Sequence, residues 1–139
     1  MRWSLLIPLA VLSLSSCSDA PPQRFAVVKS REAVEPSCIV NALDAVPSVS
    51  NVSADPVDGT QQTLFMVTFD GYGRRHSAHL LKDQPREDRF WFGVLGTMEP
   101  RVCPTPGTLA AFDQASRDVM ATVATVCFSG APIERGGGC

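Results

Sequence analysis

The sequence lacks several patterns that identify common classes of protein. Its 139 residues carry 12 basic and 14 acidic side chains without any block of Lys or Arg, which gives nucleic-acid binding no electrostatic support. Its five cysteines contain no C-x-x-C pair, so neither a zinc ribbon nor a thioredoxin-like redox site is indicated. No serine lies in a G-x-S-x-G or S-x-x-K context. We therefore predict that the protein is not an enzyme.

The few groups that could hold a metal are poorly spaced for that purpose. His76 and His79 are three residues apart in a predicted strand, where side chains at that spacing point to opposite faces. We expect both imidazoles to face solvent. The carboxylates between Asp70 and Asp88 do not have the ordered spacing of a calcium-binding EF-hand loop. We predict neither a metal nor a cofactor.

The first 16 residues have the order of parts that export signals show. Arg2 supplies a positive start, Leu5 to Leu12 is apolar, and small serines follow. The apolar run is far shorter than the roughly 20 residues that a membrane-spanning helix needs. No later stretch has the length and apolarity of a spanning segment. Residues 1–16 are therefore predicted to be a signal peptide.

The tetrapeptide Leu14-Ser15-Ser16-Cys17 resembles the lipobox of bacterial lipoproteins. The resemblance covers residues 1–17 only, and we assign no family to the rest of the chain. It implies that Cys17 becomes the first residue and carries acyl chains, two or more of which hold a protein stably in a bilayer. Ser18, in place of the Asp that favours the inner membrane, implies an outer-membrane location with the domain in the periplasm.

The remaining sequence indicates two helices and about four strands. Apolar residues at helical spacing predict a short helix from Ser37 to Val46 and a long one from Thr108 to Cys127. Runs from Thr63 to Phe69, Arg75 to Leu81 and Arg89 to Leu95 predict an antiparallel meander. Valines between residues 49 and 57 indicate a further strand.

These elements predict a single α+β domain. The short helix precedes a small antiparallel meander, the long helix follows it, and both pack on one face of the sheet. The Pro-rich segment before the first helix is predicted to be a flexible tether with at most a short edge strand, and the Gly-rich end a flexible tail. The predicted organisation is signal peptide 1–16, lipidated cysteine and tether 17–34, α+β domain 35–128, and tail 129–139.

Four cysteines remain after Cys17. An even number of thiols in an exported chain indicates two disulfides, for which the sequence allows three pairings. Because both helices are expected on one face, we favour Cys38 with Cys127, which leaves Cys103 with Cys139.

The aromatic triplet Phe90-Trp91-Phe92 gives the best candidate for a binding surface. Consecutive strand residues alternate between faces, so a sheet covered on one side exposes either Trp91 or the two phenylalanines. Tyr72 belongs to the same aromatic group, and Arg74 and Arg75 at the neighbouring turn can add polar contacts.

The predicted function is that of a non-catalytic binding or assembly module, anchored to the outer membrane through acylated Cys17. Its expected partner is an envelope protein or a second copy of the chain. The alternative is a small inhibitor or ligand-binding lipoprotein. Lipoprotein inhibitors of lysozyme share this size and anchor, but their S-G-x-x-Y motif is absent here. An envelope enzyme that uses the histidines or the acidic loop is the weakest alternative.

Overall fold

The computed structural model describes residues 20–57, 63–83 and 87–139. The predicted signal peptide and Cys17 lie outside the described residues. Eight helices and strands follow one another in the described residues: β1 (Gln23–Ser30), α1 (Pro36–Asp44), β2 (Val49–Val57), β3 (Thr63–Gly71), β4 (Arg74–Asp83), β5 (Glu87–Leu95), α2 (Pro106–Cys127) and β6 (Glu134–Gly137).

The strands form one antiparallel sheet with the order β2–β3–β4–β5–β1–β6. The strands from β2 to β5 are neighbours in the chain and in the sheet, so the predicted α+β class and the meander are confirmed. The sheet has six described strands rather than the predicted four, because β1 adds beside β5 and β6 adds beside β1. The short helix therefore follows a strand, and the long helix precedes one.

Strand β1 lies inside the segment that was predicted to be a flexible tether. It is an inner strand: Val27 pairs with Trp91 on one side and with Glu134 on the other. Ala26 and Val28 are fully buried, so the strand contributes to the hydrophobic core. The expectation of a disordered segment with at most a short edge strand was wrong for these residues.

The predicted flexible tail contains β6 and is tied down at its end. The ring of Phe25 lies against Gly136, where an added Cβ would be 2.9 Å from Cζ of the ring. A glycine in a strand permits this close approach. Cys139 is bonded to Cys103, so β6 is held to β1 by backbone pairing and to the loop before α2 by a disulfide.

Both helices pack on one face of the sheet. Each begins at a proline, where the missing N–H is no loss, and Thr105 caps α2 by accepting a hydrogen bond from the Thr108 backbone N–H. The apolar stripe of α2 is buried from Phe112 to Ala124, and Ile39 and Leu43 of α1 are fully buried beside it. Neither helix in the described part of the chain is long and apolar enough to cross a membrane.

A disulfide between Cys38 and Cys127 joins the start of α1 to the end of α2. The two predicted pairings are thus the pairings of the structure. The face under the helices contains Phe90 and Phe92, whose side chains are 0% and 1% exposed. Trp91 lies on the opposite face, as the alternation of strand side chains requires.

Candidate functional site

Strands β4 and β5 separate at one end of the sheet. Their ladder runs from Asp83 and Glu87 to Ala78 and Phe92 and then stops. Beyond that point β4 continues to pair with β3, and β5 continues to pair with β1. The facing edges of residues 74–77 and 93–95 therefore have no ladder between them.

The opening between the two strands is a cleft of about 280 Å³. This volume is just below the range of about 300–1,000 Å³ that is typical of small-molecule sites, so the cleft admits a small group. We call it the β4–β5 cleft. It is lined by residues from β4, β5 and the first turns of α2: Arg74, Arg75, His76, Ser77, His79, Trp91, Gly93, Val94, Leu95, Thr108 and Phe112.

The side of the cleft that faces the helices is aromatic. His76 is only 9% exposed and stacks on Phe69 with a centroid distance of 5.2 Å. Phe112 of α2 packs against Phe92 at 4.9 Å. Helix α2 thus lies across the bottom of the cleft, and a group that enters from the open face of the sheet stops there.

The open-face rim of the cleft is formed around Trp91. Its indole lies over Gly93, where a Cβ would overlap the ring. Phe25 lies beside it at a centroid distance of 6.4 Å and His79 at 5.9 Å. These neighbours hold the half-buried indole in place at the mouth of the cleft.

Two arginines give the cleft its charge. Arg75 is paired with Asp70 at 2.9 Å and also donates to the hydroxyl of Thr68. Arg74 has no acidic partner among the described residues and donates to the hydroxyl of Thr108 on α2. Since a guanidinium carries five N–H donors, Arg74 retains capacity to bind an anion.

The two histidines add no positive charge at neutral pH. Burial lowers the pKa of His76 below its ordinary value, and the nearby charge of Arg74 lowers it further. Burial alone lowers the pKa of His79. No carboxylate from the described residues lines the cleft. The arrangement therefore favours an acidic or neutral group over a cationic one.

Three of the four predicted binding residues, Trp91, Arg74 and Arg75, line this cleft. Tyr72 does not. Its hydroxyl donates to the carboxylate of Asp118 on α2 at 2.7 Å, and this contact lies outside the cleft. Tyr72 thus connects the β3–β4 turn to the helix.

His76 was predicted to face solvent, but the structure buries it. It packs under α2, and its Nε2 is 3.0 Å from the carbonyl oxygen of Gly71. His79 is half-buried on the other face, so the two imidazoles are on opposite sides of the sheet. The described residues contain no group of three or more side chains that could hold a metal ion.

Sequence reasoning missed the part that His76 and Thr108 play in the cleft. One signal was available for His76, because Ala78 and Leu80 follow it at a spacing of two and both are buried. That pattern places His76 on the core face. No sequence signal marks the point at which β4 and β5 separate.

Comparison with protein-family models, curated proteins and solved structures finds no match to this chain.

Proposed function

We propose that this chain is an exported, lipid-anchored binding protein without catalytic activity. In this proposal Cys17 carries the acyl chains, and the domain lies in the periplasm at the outer membrane. The lipobox-like tetrapeptide before Ser18 supports the anchor. Two disulfides support an oxidising compartment, because such bonds form and persist outside the reducing cytoplasm.

The β4–β5 cleft is the observation that carries the binding role. Its lining combines a tryptophan at the mouth, an arginine without an acidic partner, and an aromatic floor. Tryptophan and arginine are the side chains that most often dominate protein interfaces. The partner in this proposal is an envelope protein that places an acidic or neutral group in the cleft.

The anchor is tested by supplying cells with a labelled fatty acid. We expect label in the wild-type protein and in the control variant Ser18→Ala, and none in Cys17→Ser. The Cys17→Ser variant should also leave the membrane fraction. Equal labelling of Cys17→Ser would contradict the proposed anchor.

The binding role is tested with a photo-reactive residue at position 77 and, as a control, at position 114. Ser77 lines the cleft and is exposed, whereas Gln114 is exposed on the far side of α2. We expect a discrete cross-linked product in intact envelopes from position 77 only, and a weaker one when Trp91→Ala is added. Equal products from both positions would contradict a partner site at the cleft.

A further inference from the structure

The shape of the β4–β5 cleft restricts what can enter it. Four residues of β4, Arg74 to Ser77, flank it, and their Cα atoms span roughly 10 Å at the rise of an antiparallel strand. Alternate residues of an unpaired strand edge direct their N–H and C=O groups outward. The two facing edges therefore offer main-chain hydrogen bonds to an amide group of a peptide that enters between them.

A through-running chain does not fit, because α2 closes the far side. Thr108 and Phe112 line the cleft from the helix, so a chain that enters over Trp91 meets them after passing between the strands. The ladder closes the cleft laterally at Ala78 and Phe92. A chain that advances toward α2 or toward the ladder therefore reaches a closed side, and this geometry suits a chain terminus.

The charge at the helix side decides which terminus fits. The side chain of Arg74 is directed to this side, where it donates to Thr108. A terminal ammonium would be repelled by this guanidinium, whereas a terminal carboxylate accepts charge-assisted hydrogen bonds from it. Arg75 contributes less, because Asp70 already neutralises it.

We propose that the β4–β5 cleft binds the C-terminal carboxylate of an extended peptide. Arg74 binds the carboxylate, the edges of β4 and β5 bind the preceding amide, and the side chain before the terminus packs on Trp91. This inference rests on the proposed binding function and names the part of the partner that is bound.

The test is a titration of the full chain, with both disulfides formed and kept in detergent, followed by the amide NMR shifts of residues 74–77 and 93–95. The probes are acetyl-Ala-Ala-Leu with a free carboxylate, the same peptide as its C-terminal amide, and propionate. We expect the free acid to bind about tenfold or more tightly than the amide, since a hydrogen bond to a charged group contributes that much. Propionate should bind more weakly than the peptide acid, because it makes no contact with the strand edges.

Two variants complete the design. Arg74→Gln should remove the difference between the acid and the amide, while Arg31→Gln, an exposed arginine outside the cleft, should leave it unchanged. Unchanged amide shifts away from the cleft show that a variant is folded. The comparison of the two peptides on the wild-type chain needs no variant at all.

Three results would overturn the proposal. These are equal affinity for the acid and the amide, propionate binding as tightly as the peptide acid, and shifts confined to residues outside the cleft. If any of them occurred while position 77 still gave its envelope cross-link, the terminal-carboxylate inference would be wrong and the proposed binding function would stand. If the cross-link from position 77 were also absent, both the terminal-carboxylate inference and the proposed binding function would be wrong.

Discussion

The hydroxyl of Tyr72 donates a hydrogen bond to the carboxylate of Asp118 at 2.7 Å, and this joins the β3–β4 turn to α2. Tyr72 and Gly73 have φ angles of 54° and 76°, the arrangement of a two-residue hairpin turn with both central residues left-handed. A tyrosine is uncommon at such a position. The bond to Asp118 therefore holds a residue whose backbone conformation is otherwise unfavourable.

The phenol of Tyr72 should ionise at unusually high pH. Burial and, as a smaller cause, the hydrogen bond to Asp118 raise its pKa from 10.0 to about 12. Since the chain has a single tyrosine, absorbance at 295 nm reports this group alone. We expect a midpoint near that value in the folded protein. Asp118→Asn should lower the midpoint, and a native midpoint near 10 would show that the contact does not form in solution.

Tyr72 also makes stability depend on pH in the alkaline range. Its pKa is raised from 10.0 in the reference state to about 12 in the fold. A raised folded pKa gives stabilisation that is fully present below pH 10 and is lost as the pH rises through the folded value. Tyr72→Phe should flatten the free energy of unfolding between these two pH values, as measured by urea denaturation.

His76 should make the protein less stable as the solution becomes acidic. Burial lowers its pKa below the ordinary 6.5, so the unfolded chain binds a proton more readily than the folded one. The free energy of unfolding should therefore fall once the pH drops below about 6.5 and continue to fall through the lowered folded pKa. Urea denaturation between pH 7 and pH 5 measures this slope.

His79 should also make the protein less stable as the pH falls, because burial lowers its pKa as well. The two contributions are separated by comparing His76→Gln with His79→Gln, each of which should reduce the slope. Asp70 does not interfere in this range, because its hydrogen bonds with Asn51 and Arg75 hold its pKa below 3.8. If His76→Gln left the pH dependence of the unfolding free energy unchanged, the His76 imidazole of the wild-type protein would have the same pKa in the folded and unfolded states.

Asp88 should be a strong determinant of stability. It is only 5% exposed and accepts from the backbone N–H of Val34 at 2.7 Å and from Lys82 at 3.0 Å. Asp88→Ala leaves both donors without this acceptor, and removal of one member of a buried pair costs about 3–5 kcal/mol. The loss of unfolding free energy is measured by chemical denaturation of Asp88→Ala, Lys82→Met and the double variant. If the two single effects simply added, the pair would not be coupled.

Trp91 and Phe92 should respond differently to truncation although they are adjacent. Phe92 is 1% exposed in the core, so Phe92→Ala should cost about 3–5 kcal/mol of unfolding free energy. Trp91 lies half-buried on the open face, so Trp91→Ala should cost less than half of that and weaken the envelope cross-link from position 77. Arg75→Glu should also weaken the cross-link while the domain remains folded. Global unfolding of Trp91→Ala would place the indole in the core instead.

Loss of each disulfide should affect stability by a different amount and in a different part of the fold. Replacement of Cys38 and Cys127 by serine opens a separation of 89 residues, and loss of such a bridge costs about 2–5 kcal/mol. Replacement of Cys103 and Cys139 opens 36 residues and should cost less. In the variant without the Cys103–Cys139 bond, hydrogen exchange should show loss of protection mainly in β6. Equal loss throughout the sheet would show that β6 and the core unfold together.

The strands and helices that carry a clear apolar period could be predicted from the sequence. Phe65, Val67 and Phe69 alternate with outward residues, and the α2 stripe repeats at helical spacing. The disulfide pairing followed once both helices were placed on one face. The strands and helices depend on residues that are close in sequence. The disulfide pairing depends only on the packing of both helices on one face of the sheet.

Strand β6 and the position of β1 in the sheet could not be predicted. β1 finds its partners far along the chain, where Val27 meets Trp91 and Glu134, and periodicity does not report such pairings. The residues of β6, Glu134 to Gly137, have no apolar pattern at all. Their glycines were interpreted as flexibility, whereas Gly136 accommodates the ring of Phe25.

Only part of the candidate site could be predicted, because the site also depends on pairings between residues that are distant in sequence. Trp91 was chosen as an aromatic residue of one predicted strand, and Arg74 and Arg75 were added because they lie at the turn that begins the neighbouring predicted strand. The opening between those strands depends on where a ladder stops, which is a property of the whole sheet. Tyr72 was included because it is aromatic, and the left-handed turn directs it to α2 instead.

The sheet order has a consequence for the order in which the domain can fold. Among the described strands β1 is synthesised first, yet its partners are β5 and β6, the last of which ends at Gly137. An emerging chain therefore carries an unpaired apolar strand until nearly all of the domain has followed. Contacts this distant in sequence form slowly. The six described strands can therefore form their complete sheet only after the residues of β6 have been added to the chain.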